Sequence, residues 1–166
     1  MVNIDRLCAE LGFSVPKEEK QKNIIQKALG VLTEDGIFAN LIWLESEAGE
    51  IKLEKDNKTI KEPKSEEKCS RLIVFSSIKL LKEIGILNSN FATFFENEEE
   101  TKERILKGNS KNAPDKTWKE IINNFREELT KQNGILEDIH QMFLIKQLLE
   151  RMLTYALYRA KSLSGE

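Results

Sequence analysis

Residues 135–163 (ILEDIHQMFLIKQLLERMLTYALYRAKSL) contain no glycine or proline. Their apolar positions recur at helical spacing: Ile139, Met142, Phe143, Ile145, Leu149, Met152, Leu153, Ala156 and Ala160. A helix with so wide an apolar arc either runs through the middle of a bundle or shows part of its face to another protein. Breakers are rare elsewhere too. Eight Gly and three Pro in 166 residues are too few for a turn-rich β fold.

Helical periods fill most of the remaining chain. Asn3 caps a helix over IDRLCAEL that Gly12 stops, and Pro16 opens the next over residues 17–33. Asp35-Gly36 breaks the pattern before IFANLIWLES, which is apolar nearly all round and is therefore expected at the centre, ending at Gly49. A strong helix runs from Ser65 to Gly85. Shorter ones start near Asn90 and over EEETKERILKG, stopped by Gly108, and Asp115 caps one over residues 116–132 beyond a loop at 108–115. Residues 49–65 read either as a small hairpin, turning at Asp56-Asn57 and returning at Thr59-Ile60, or as a charged loop. The expectation is an all-α single domain over residues 1–166: an irregular bundle of six to eight helices, with the hairpin or loop at about 50–63.

Composition excludes several classes. No apolar run approaches 18 residues, so no transmembrane helix is expected. Acids near the N-terminus argue against a signal peptide, and two cysteines, Cys8 and Cys69, make no disulfide framework, so a reduced, cytoplasmic chain is the expectation. The single histidine, His140, has no second His or Cys beside it and reads as a partly buried structural residue. No phosphate loop, dinucleotide fingerprint or nucleophile elbow occurs. The acidic run Glu98-Glu99-Glu100 reads as a solvated helix start, because adjacent residues do not share a helix face. No metal, no cofactor and no enzymatic activity are expected.

Net charge is −2, but the distribution is uneven. Residues 1–50 carry five bases against nine acids, whereas residues 51–88 carry nine against six. Along the Ser65–Gly85 helix, Lys64, Lys68, Arg71, Phe75, Lys79 and Lys82 fall within an arc of about 80° at 100° per residue. From Lys64 to Lys82 such a strip would span about 27 Å. That pattern predicts an RNA-binding face, with the cations on phosphates and Phe75 stacked on a base. A second patch on the last helix places Arg151, Tyr155, Tyr158 and Arg159 on one side, suited to RNA or to protein.

The stretches VLTEDGIFANLIWLES and FLIKQLLERMLTYALYRAKSL carry a resemblance. With Gly36 at the early turn and Arg151, Ala156, Arg159 and Ala160 near the end, the chain resembles the small subunit of type III-B CRISPR (Cmr) effector complexes. The resemblance implies a non-catalytic subunit of an antiviral ribonucleoprotein. Such subunits stack beside the backbone subunits and beside copies of themselves, and line the groove that receives target RNA along the CRISPR RNA. The alternative is a helical protein–protein adaptor without nucleic-acid contact, bound through the apolar arc of the last helix.

Overall fold

The computed structural model describes residues 2–52, 54–56, 60–87, 89–107 and 116–165. Eight α-helices are present among them: α1 Ile4–Ser14, α2 Lys22–Asp35, α3 Ile37–Ala48, α4 Ser65–Glu83, α5 Ala92–Phe95, α6 Glu98–Lys107, α7 Thr117–Thr130 and α8 Ile139–Leu163. Short 3₁₀ turns at Glu19–Gln21, Ser89–Phe91 and Ile135–Glu137 precede α2, α5 and α8. The chain is all-α, as its periodicity predicts. No helix among the described residues is long and apolar enough to cross a membrane.

Local chemistry explains most boundaries. The Asn3 side chain accepts the Arg6 N–H at 3.0 Å and starts α1. Gly36, at φ 93°, and Gly49, at φ 61°, adopt a backbone region that favours glycine and bracket α3. Gly85, at φ 80°, follows α4. The acidic run does open a helix, α6. The expected stop at Gly108, the loop at 108–115 and the cap at Asp115 lie outside the described residues, as do Asn57 and Thr59 of the hairpin alternative. In that region Lys61 N–H donates to Lys52 O at 2.8 Å, a single backbone bridge.

Several boundaries differ from expectation for identifiable reasons. Gly12 does not stop α1; it lies inside it, against α8. A Cβ there would sit 2.4 Å from Met152 O, so glycine is what lets the two helices approach. α2 begins at Lys22 rather than near Pro16, because the buried Gln21 side chain accepts the Lys17 N–H and donates to Ser65 O. α8 begins at Ile139 rather than Ile135, because the Asp138 carboxylate accepts the N–H groups of His140 and Gln141.

The centre of the bundle is α4, not α3. It lies against α1, α2, α3, α6, α7 and α8, and its residues from Cys69 to Ile78 are all buried. α3 turns Phe38 and Ile42 outward, despite being the more apolar helix. α8 packs against α1 and α2, while α6 packs against α4, α5 and α7.

Candidate functional site

The cationic strip expected on α4 is taken up by the fold. Arg71 is 1% exposed and Phe75 is 1% exposed, so neither can meet RNA. The Phe75 ring packs on Phe95, with centroids 5.0 Å apart, and Lys102 lies 5.8 Å from its centre. Lys79 pairs with Glu98 at 2.7 Å. Lys82 stands over the Phe95 ring at 5.5 Å, and Lys68 pairs with Glu62. Only Lys64, at the start of the row, remains exposed. The physical reason is the cover: α5 and α6 lie over this face. The acidic start of α6 supplies a counter-charge for the basic strip.

Arg71 shows what the buried cation does. Its Nε and Nη2 donate to Ala48 O at 3.1 and 2.9 Å, and Nη1 donates to Ile105 O at 3.0 Å and to Leu106 O at 3.4 Å. Ala48 is the last residue of α3, and Ile105 and Leu106 belong to the last turn of α6. Carbonyls at helix C-termini lack intrahelical donors and carry the negative end of the dipole. One guanidinium therefore closes two helix ends, while its plane lies 5.8 Å from the Trp118 ring. Burial pulls the Arg71 pKa down, and the nearby Glu67 carboxylate opposes that shift.

The second patch is partly engaged. The Arg151 guanidinium reaches Asp5 at 3.4 Å, and the Tyr155 hydroxyl donates to the same carboxylate at 3.0 Å. That hydrogen bond to Asp5, with some desolvation, raises the Tyr155 pKa. The Tyr155 ring also meets Phe13 edge-on at 6.0 Å. Arg151 and Tyr155 therefore hold the first turn of α1 against α8. Tyr158 and Arg159 are exposed. An open groove of about 560 Å³ runs along this part of α8, lined by Glu150, Arg151, Tyr155 and Tyr158 among others.

The first half of α8 presents a different surface. Ile139 is 56% exposed, Phe143 55% and Leu144 48%. The opposite side of the helix, from Ile145 through Leu149, Met152 and Ala156 to Ala160, is buried. The two faces of the apolar arc therefore part company: one is core and one is open. At 100° per residue, Ile139 and Phe143 already fall away from the line through Ile145, Leu149 and Met152, which is the signal that separates them in the sequence. Leu144 is a further open apolar residue that the arc did not include.

His140 is exposed rather than partly buried. Cys8 and Cys69 are buried, and burial pushes the Cys69 thiol up to about 12. Among the described residues no group of three or more His, Cys, Asp or Glu is placed to hold a metal ion. A cleft of about 140 Å³ lies at the start of α4, lined by Lys52, Lys61, Lys64 and Lys107 together with Arg71. Apart from Lys64, these lysines escape any sequence pattern, because the fold brings them together from separate segments. No protein-family model matches the chain, and no curated protein or solved structure is significantly similar to it.

Proposed function

We propose that this chain is a non-catalytic helical subunit of a ribonucleoprotein of the type III-B CRISPR kind, as the resemblance of Leu32–Leu44 and Ile145–Lys161 implies. It acts in the cytoplasm, joins a neighbouring helical subunit through the outer face of α8, and takes no part in cleavage. The observation that carries the reading is the open pair Ile139 and Phe143, four residues apart on one face of a helix whose other side is sealed. Full burial of such a side chain contributes about 1.5–3 kcal/mol, so covering two half-exposed ones contributes about 2 kcal/mol. That is about thirtyfold in affinity. RNA contact then falls to Arg151, Tyr158 and Arg159 on the second half of α8, since α4 has no open basic strip.

The burial of Arg71 and Phe75 favours a second reading, an adaptor that binds protein alone. Native purification of the tagged chain, with identification of its partners and extraction of nucleic acid, separates the two. The subunit reading predicts a complex of fixed stoichiometry that contains RNA and is lost in an Ile139→Asp/Phe143→Asp variant that still folds. A complex without RNA gives the adaptor. A monomer with neither protein nor RNA overturns both.

A further inference from the structure

The cleft at the start of α4 is a site independent of α8. It lies between residues 50–52, residues 60–64, the first turns of α4 and the end of α6, and encloses about 140 Å³. A single water needs only about 10–15 Å³ of such space. Its cations come from separate segments: Lys52, Lys61, Lys64, Arg71 and Lys107.

Partners distinguish this group from an ordinary charged surface. Lys52, Lys61 and Lys64 engage no carboxylate among the described residues. Lys107 approaches Glu103 only to 3.9 Å. Three carboxylates share the cleft: Glu62 pairs with Lys68, while Glu67, which accepts the Lys64 N–H at 2.8 Å, and Glu50 keep their charge. Five cations therefore face two uncompensated carboxylates. Arg71 is held from behind by Ala48, Ile105 and Leu106, and these bonds occupy four of the five N–H donors a guanidinium carries. A buried, immobile cation thus forms the back of the cleft and unpaired lysines form its rim. The positive end of the α4 dipole adds to the same potential.

We propose that this cleft binds a phosphoryl group, supplied either by an RNA backbone or by a small phosphorylated compound. A tetrahedral oxyanion would meet lysine ammonium groups from two sides and the positive field of a fixed guanidinium behind them. The guanidinium is already in place, whereas ordering each rim lysine costs about 0.5–1.5 kcal/mol.

The test titrates the full chain with pyrophosphate by calorimetry, and with a labelled oligouridylate of about ten nucleotides by fluorescence anisotropy. Lys61→Glu/Lys64→Glu is compared with Lys27→Glu/Lys119→Glu, which changes net charge equally on exposed residues of α2 and α7 that do not line the cleft. The site predicts saturable binding that weakens at least ~10-fold in the first variant and stays within twofold in the second, because two local phosphate contacts are lost. Tighter binding of the oligonucleotide that is lost in Lys61→Glu/Lys64→Glu assigns the RNA backbone as the source; tighter binding of pyrophosphate assigns a small phosphorylated compound. Protection of Lys61 and Lys64 from acylation by bound pyrophosphate or oligouridylate, read by mass spectrometry on the wild-type chain, needs no variant to fold. Absence of saturable binding to either probe, equal weakening in both variants, or unprotected lysines overturns the site. None of these outcomes bears on the outer face of α8.

Discussion

Replacing Arg71 with methionine is expected to destabilise the bundle by about 3 kcal/mol, because the substitution keeps much of the aliphatic stem and removes only the guanidinium. Three carbonyls then lose their donors: Ala48 O, Ile105 O and Leu106 O. A hydrogen bond from a charged donor contributes about 1.5–3 kcal/mol net, and an orphaned buried acceptor costs about 1–3 kcal/mol. The gain from no longer burying a charge offsets part of that sum, as the lowered Arg71 pKa indicates. For a chain of this size, ~3 kcal/mol corresponds to a fall in Tm of about 6–12 °C. Arg71→Lys keeps a charge but not the fork, and should lose about half as much. Lys64→Met, on the same helix line but exposed, should stay within about 0.5 kcal/mol. Urea denaturation followed by circular dichroism reads all three. Equal, small effects for Arg71→Met and Lys64→Met would refute the reasoning, since they would place the guanidinium on an open surface.

Two helix-interior glycines should respond in opposite directions to the same change. Gly12→Ala drives a Cβ to 2.4 Å from Met152 O and should cost about 1–3 kcal/mol, while nothing lies within 4 Å of a Cβ at Gly30, so Gly30→Ala should gain about 0.5–1 kcal/mol; thermal denaturation reads both. Cys69 makes alkaline pH destabilising. Its folded pKa is raised to about 12 from 9.0, so its contribution is complete below pH 9 and is lost as pH rises toward 12, by up to about 4 kcal/mol. A Cys69→Ala variant should show a flatter fall in urea midpoint across that window; an identical slope would contradict it.

The helical periods were legible in the sequence because they depend on neighbours a few residues away, and so were the breaks at Gly36, Gly49 and Gly85. What a helix faces was not. The wheel correctly places Lys68, Arg71, Phe75 and Lys79 on one side of α4, yet it cannot state that residues 89–107 cover that side. The clue lay in a separate place: the acidic start of α6, read alone as a solvated helix end, is the partner of Lys79. Apolar content likewise misplaced the centre. α3 is richer in large apolar residues but leaves Phe38 and Ile42 open, whereas α4 buries Ser70, Ser76, Ser77 and Arg71. Small hydroxyls tolerate burial when they bond to their own helix, as Ser77 Oγ does to Ile73 O at 2.7 Å. Arg71 tolerates it because two helix ends need donors. The cleft at the start of α4 depends on contacts across the whole fold, which no local pattern encodes.

Hydrogen–deuterium exchange on the chain, alone and with any co-purified protein, tests the proposed docking face most directly. Docking through the outer face of α8 predicts slowed exchange on assembly over residues 139–147, with α4 little changed because it is already at the centre of the bundle. Unchanged exchange at 139–147, with new protection confined to other surfaces, would contradict the account.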